Sequence, residues 1–315
     1  MKDAILHAHE RIRPHIRRTE CAHSHWLSDA SGAEVFLKLE NRQLTGSFKL
    51  RGVVNKLLSL TEEERGRQLV AASTGNHGAA FAHAVSEFGL DGMLFLPTNA
   101  AESKLQAIEV SGIPFQLVGD DCVETEGHAA RYAAENDCVW VSPYNDPLVV
   151  AGQGTVAVEF LDQVEAIDRV LVPVGGGGLI SGIGAYMKAV APGVEVIGCQ
   201  PIASAVMYES VRAGEIVTME SRPTLSSATA GGIEQGSITF DLCRKHVDDY
   251  ELVDEEEIAQ AIRFVHDNES MVIEGGAALP VAAALRRTAG LRGKRLVLIV
   301  TGSKIDDDVL RRILS

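Results

Sequence analysis

The chain has 315 residues, and its 29 Lys plus Arg against 43 Asp plus Glu leave a formal net charge of −14. That length suits about two domains, and the negative field repels phosphate backbones and anionic headgroups, so nucleic acid and membrane surfaces are not expected partners. With 46% hydrophobic and 23% charged residues the composition is that of a globular chain, not a disordered or collagen-like one.

In chain order, the opening MKDAILHAHERIRPHIRR is broken by charge and shows no signal-peptide pattern. His23-Ser24-His25 reads as an exposed turn rather than metal spacing. Short apolar runs at 35–39, 69–73, 93–96, 114–118, 139–141, 170–174, 194–199 and 296–300 read as buried strands. Amphipathic stretches at 76–88, 101–111, 125–136, 149–164 and 179–190 read as helices between them, with Gly89, Gly112 and Gly193 as stops. Strand then helix, repeated, predicts an α/β fold of parallel sheets with helices on both faces. Thr61 and Asp254 each stand three residues before a Glu, the pattern of a capped helix start. No apolar run approaches the roughly 20 residues of a membrane helix. Five scattered cysteines (Cys21, Cys122, Cys138, Cys199, Cys243) without a CxxC argue for reduced thiols in the cytoplasm.

Zinc-peptidase HExxH, hydrolase GxSxG and P-loop patterns are absent. The run Gly175–Gly178 gives no GxGxxG, because Ile180 and Ser181 occupy the places of a third glycine, so a dinucleotide site is disfavoured.

Three clusters remain. Thr45-Gly46-Ser47-Phe48-Lys49-Leu50-Arg51-Gly52 places Lys49 in the first turn of a helix, where the helix dipole and partial burial beside Phe48 disfavour the ammonium form and favour imine chemistry. Taken alone, Lys49 is equally a surface lysine. Ser73-Thr74-Gly75-Asn76-His77-Gly78 sits between a strand and a helix, suited to cradling a carboxylate or simply capping that helix. Gly175-Gly176-Gly177-Gly178-Leu179 spends much backbone entropy at the head of a helix, best explained by close approach of backbone N–H groups to a phosphate.

With these motifs and Ala151-Gly152-Gln153-Gly154-Thr155 in order, the chain resembles, over essentially its whole length, the fold-type II pyridoxal-phosphate enzymes of the serine/threonine dehydratase and serine racemase family. The resemblance implies a tryptophan synthase β-like fold of two parallel-sheet domains. The expected division is a large cofactor-binding domain of residues 1–50 plus 146–315 and a small inserted domain of residues 51–145. It further implies that Lys49 holds the cofactor covalently, with Phe48 near its ring, Asn76 at its phenolic oxygen, Gly175, Gly176, Gly177, Gly178 and Leu179 at its phosphate, and Thr301 beside its pyridine nitrogen. Ser73, Thr74, Gly75, Asn76 and His77 would receive the substrate carboxylate, and the Thr74 hydroxyl stands where racemising relatives carry an acid/base. A hydroxyl beside the pyridine nitrogen does not hold the ring as a stable cation, which favours quick loss of a β-leaving group.

The implied activity is α,β-elimination of a small β-hydroxy amino acid, such as L-threonine or L-serine, to a 2-oxo acid and ammonia, in a cytoplasmic homodimer. Dehydration of 3-hydroxyaspartate, or serine racemisation with side dehydratase activity, are the alternatives. β-Replacement is disfavoured by the Arg51-Gly52 ending, and a non-catalytic cofactor-carrying module needs the same pocket without turnover. Three positions depart from the family pattern. Gln200 and Val206 replace carboxylates that bind divalent metal in some relatives, so no metal is expected there. Ser227-Ala228 replaces an Asp-Gly pair, and Lys304 stands where Asn is usual, open to a phosphate, a second carboxylate or solvent.

Overall fold

A computed structural model of the chain describes residues 1–120, 122–286 and 289–315. Its strands are β1 (Cys21–Ser24), β2 (Glu34–Lys38), β3 (Leu69–Ala72), β4 (Gly92–Leu96), β5 (Phe115–Leu117), β6 (Val139–Trp140), β7 (Arg169–Pro173), β8 (Glu195–Pro201), β9 (Asp249–Val253) and β10 (Arg295–Ile299). They form a six-stranded sheet in the order β1-β2-β10-β7-β8-β9 and a four-stranded sheet in the order β5-β4-β3-β6. Every pairing is parallel except β1 with β2.

Both sheets are covered on both faces, and the period of two along each strand shows how. In the larger sheet, Val170, Val172, Val196, Val297 and Ile299 face helices Pro147–Leu161 and Gly178–Val190. Their neighbours Leu171, Ile197, Leu296 and Leu298 face helices Glu255–Glu269 and Gly275–Leu285. In the smaller sheet, Leu69, Ala71, Leu94 and Leu96 pack on helices Lys49–Leu58 and Asn76–Phe88, while Val70, Ala72, Met93 and Phe95 pack toward helix Cys122–Glu135.

Both predicted capping boxes are present. Thr61 accepts from the Glu64 N–H at 3.2 Å and Asp254 from the Glu257 N–H at 2.9 Å, and each Glu carboxylate returns to its cap's N–H at 2.8 Å. Other expectations are corrected. Cys21–Ser24 is an antiparallel edge strand rather than a turn; His23 and His25 are exposed as expected, and Ser24 caps the next helix. Gly89 and Gly112 stop their helices at φ 62° and 72°, but Gly193 stops none: that helix ends at Val190, with Ala191 as its C-cap. The helix expected from 149 starts at Pro147, because the Asp146 side chain accepts from the N–H groups of Leu148 and Val149 at 2.7 and 3.2 Å.

Among the described residues no helix is long and apolar enough to cross a membrane. Cys21, Cys138, Cys199 and Cys243 are free.

Chain order and sheet order diverge at two places. β7 leads outward to β8 and β9, while β10 lies on its other side beside β2. In the smaller sheet β3 leads to β4 and β5, while β6 returns to its opposite edge. Loops leaving the carboxyl ends of such strands part and open a crevice, the usual ligand position in parallel α/β sheets.

Candidate active site

The loops at these two divergence points are the ones that the sequence singled out. Lys49 begins helix Lys49–Leu58, shortly after β2. Its approach is pinned to the end of β10: the Phe48 N–H donates to the Thr301 carbonyl at 3.1 Å, and Ser47 pairs with Gly302. The Lys49 Nζ donates to the Pro143 carbonyl, beyond β6, at 2.9 Å and stands 5.4 Å from the Phe48 ring centroid. Burial lowers its pKa to about 8, against the attraction of Glu126 and Glu274. Roughly one lysine in ten is then a neutral amine at pH 7.

What holds that helix start is ionic. Arg51, completely buried, grips two carboxylates: Nε and Nη2 donate to Glu40 and Nη1 and Nη2 to Glu159, all at 2.8 Å. Lys38 adds a bond to Glu159 at 2.6 Å, and Thr19 donates to Glu40 at 2.5 Å. The helix also lies backbone to backbone on Pro147–Leu161. A Cβ at Gly52 would meet the Gln153 side chain at 2.4 Å, and one at Gly152 would meet the Arg51 carbonyl at 2.6 Å. This explains the Ala151–Thr155 motif as a contact surface.

The turn after β3 is closed by Ser73, whose hydroxyl accepts from the Gly75 N–H at 3.0 Å; Gly75 caps helix Asn76–Phe88. Asn76 is buried, its Nδ2 donating to Glu274 at 2.7 Å while its Oδ1 has no partner. His77 turns into the core, with Nε2 on the Val141 carbonyl at 2.9 Å. Burial, with help from Lys49, pushes its pKa down to about 3, so its ring stays neutral and it offers an anion its backbone N–H rather than a charge. Thr74 lines, with Lys304 and Glu87, a cavity of about 420 Å³ between helices Asn76–Phe88 and Glu102–Ser111.

Gly175–Gly178 follows β7 and runs into helix Gly178–Val190. A Cβ at Gly176 would lie 2.5 Å from the Tyr144 ring, and Gly177 has φ 87° with Met207 2.7 Å from its Cβ position. The run therefore leaves bare backbone at a helix N-terminus, a cradle for phosphate oxygens. Gly176→Ala should weaken cofactor binding about tenfold or more by displacing Tyr144, with Gly193→Ala, which has nothing within 4 Å, unchanged. Fluorescence titration checks both, and equal affinities for the two variants would remove the cradle from the site.

Three groups escaped the sequence reading. Glu274, buried just before helix Gly275–Leu285, accepts from Asn76 and from the Thr301 hydroxyl. Glu126 faces Lys49, and its carboxyl is pushed up to about 7 by burial. Tyr144 accepts from the Glu234 N–H at 3.0 Å and walls the glycine run. No local pattern marked these residues; each is brought in by a turn or helix start remote in sequence from the motifs.

Gln200 is buried and fully engaged, donating to the Val174 carbonyl at 3.1 Å and accepting from the Tyr208 N–H at 2.8 Å. Ser227 is exposed; its neighbour Ser226 is buried, with its hydroxyl 2.6 Å from that of Thr229.

An amine with a lowered pKa, a bare phosphate cradle, and a buried amide and hydroxyl converging on Glu274 form a donor set that fits an aldehyde-bearing heteroaromatic phosphate. The orphaned Asn76 Oδ1 marks the same spot as open to a partner.

Residues 12–302 match the family described as "Pyridoxal-phosphate dependent enzyme". The chain is 40% identical over 311 residues to an "L-threonine ammonia-lyase" of Thermotoga maritima, covering 99% of this chain and 77% of that one. It is 35% identical to the "L-threonine dehydratase catabolic TdcB" of Escherichia coli, covering 96% and 93%. Among solved structures, maize serine racemase superposes with a TM-score of 0.92 at 30% identity, covering 99% and 95%.

Proposed function

The chain belongs to the fold-type II pyridoxal-phosphate-dependent enzymes, and on that premise we propose the chemistry of its site. It is an ammonia-lyase that eliminates water from a small β-hydroxy amino acid such as L-threonine or L-serine and yields a 2-oxo acid and ammonia. The observation that carries this reading is the Lys49 amine, its pKa lowered to about 8, held between the end of β10 and the Pro143 carbonyl.

Pyridoxal phosphate, joined through its aldehyde to that amine, supplies an electron sink for charge developing at an amino acid's Cα. Lys49 would hold it covalently, and its neutral amine would serve as the base for the Cα proton. The backbone N–H groups of Gly175, Gly176, Gly177, Gly178 and Leu179 would bind its phosphate, and Asn76 and Thr301 would hold its ring. The turn of Ser73, Thr74, Gly75, Asn76 and His77 binds the substrate carboxylate through N–H donors and the Ser73 hydroxyl. Thr74 supplies a hydroxyl for proton transfer on the opposite side of Cα.

Tyr144 and the glycine run close the phosphate end by direct packing. Free thiols and the net charge of −14 support a cytoplasmic setting, and resemblance to the family supports a homodimer, each chain divided into a large domain of residues 1–50 plus 146–315 and a small inserted domain of residues 51–145.

The test is ammonia release from L-threonine, L-serine, 3-hydroxyaspartate and 3-phenylserine, with kcat/KM for each and chiral analysis of recovered serine. Turnover of threonine and serine is expected. A preference of several kcal/mol for hydroxyaspartate would move the substrate to the dicarboxylate class, and colour without ammonia from any of the four would leave only a binding module.

A further inference from the structure

Beneath the glycine run, two buried hydroxyls are lined up on one carbonyl. Helix Ile238–His246 begins against the run, and Thr239, completely buried, donates its hydroxyl proton to the Gly176 carbonyl at 2.6 Å. The Thr239 Cβ lies 3.1 Å from where a Cβ on Gly177 would stand. The Ser237 hydroxyl, 2% exposed, lies 2.8 Å from that of Thr239 and accepts from the Thr239 N–H at 3.4 Å.

A carbonyl oxygen only accepts, so the single hydroxyl proton of Thr239 is committed to Gly176, and the proton between the two hydroxyls is the one on Ser237. The relay therefore runs from Ser237 to Thr239 to the Gly176 carbonyl. In a trans peptide the N–H points away from the C=O. With the Gly176 carbonyl drawn onto Thr239, the Gly177 N–H is turned to the opposite side. Neither it nor the N–H groups of Gly175 and Gly176 has an acceptor among the described residues. Hydrogen bonds in series polarise one another, so the paired hydroxyls also make the Gly177 N–H a stronger donor.

We propose that Thr239 is a positioning residue for the cofactor phosphate: its hydroxyl, reinforced by Ser237, holds the Gly176–Gly177 peptide with its N–H toward the phosphate. The inference rests on the placement of the phosphate at Gly175–Gly178 given above. It adds to that cradle a side chain 63 positions further along the chain.

The experiment titrates the cofactor-free full chain with pyridoxal phosphate and records the ³¹P resonance of the bound phosphate. Thr239→Val keeps the shape and removes the hydroxyl; it is expected to weaken binding about tenfold and to move the resonance. Thr239→Ser restores the hydroxyl without the methyl, returning the affinity to within about threefold of the parent and the resonance to its parental position. Ser237→Ala ends the relay but leaves the Thr239 bond to Gly176, and falls between the parent and Thr239→Val. Melting temperatures of the cofactor-free variants track folding separately.

Parental affinity or an unmoved resonance in Thr239→Val, or a Thr239→Ser as weak as Thr239→Val, overturns the proposal while leaving the lyase reading intact. Where Thr239→Val does not fold, Ser237→Ala decides in its place, and parental affinity and resonance there overturn it. A parent chain that binds no pyridoxal phosphate overturns both.

Discussion

Lys49→Ala is expected to lower ammonia release from L-threonine by at least about 10⁴-fold and to abolish borohydride labelling at this position. Two functions disappear together: the amine that would link to the cofactor and the base that would take the Cα proton. Because the side chain spans from the start of its helix to the Pro143 carbonyl, a methyl group in its place leaves the fold intact, and the variant should retain the parent's far-ultraviolet spectrum. The pH dependence follows from the lowered pKa. The reacting form is the neutral amine, so capture of pyridoxal phosphate by cofactor-free protein should speed up as pH rises, with a midpoint near 8; an unshifted lysine would place it near 10.4. Turnover in Lys49→Ala within tenfold of the parent, or a label on another lysine, would displace Lys49 from the chemistry.

Arg51→Met carries the largest expected effect on stability. Arg51 and Lys38 balance Glu40 and Glu159, all four side chains 0–2% exposed. Removing one partner of a buried pair costs about 3–5 kcal/mol, because it strands a charge in low dielectric, and a loss of that size lowers Tm by on the order of 10 °C. Urea unfolding of the cofactor-free chain measures it. Arg51→Lys, which keeps the charge but not the fork on two carboxylates, should fall between.

The sign with pH is fixed by Glu159. Burial raises its pKa, but Arg51 and Lys38 outweigh that and hold it below 4.5. Its contribution is thus complete above the ordinary carboxylate value and fades as pH falls toward the depressed one. In Arg51→Met the depression of the Glu159 pKa is reduced, so less stability should be lost on the acid side. A penalty below about 1 kcal/mol would mean that the network is dispensable.

The parts of this molecule that the sequence made legible are those written in local pattern. Runs such as 170–174 and 296–300 are apolar throughout because both of their faces are covered, and that is the mark of a central parallel strand. The capping residues Thr61 and Asp254 act within one helical turn and were equally plain. β1 was hidden because it is a short edge strand with a single buried residue, Ser24, and β9 because only Val253 of its five residues is buried.

Within the site, the glycine run and the turn after β3 announced themselves by composition. Glu274, Glu126 and the grip of Arg51 on Glu159 did not, since their significance comes from partners 198, 77 and 108 positions away along the chain in Asn76, Lys49 and Glu159. Pairings of that range leave no periodic trace. His77 shows the complementary limit: its place in the motif was evident, but not that its ring is spent on the Val141 carbonyl.

β10 is inserted between β2 and β7, and the segment that follows it anchors Ser47 and Phe48. During synthesis, the early half of the larger sheet has no neighbour to join it to the later half until residues 295–302 leave the ribosome. Loop closure over that span is a late and slow event. The smaller sheet, with all of its strands between residues 69 and 140, is under no such constraint and is free to form while the rest of the polypeptide is still being made.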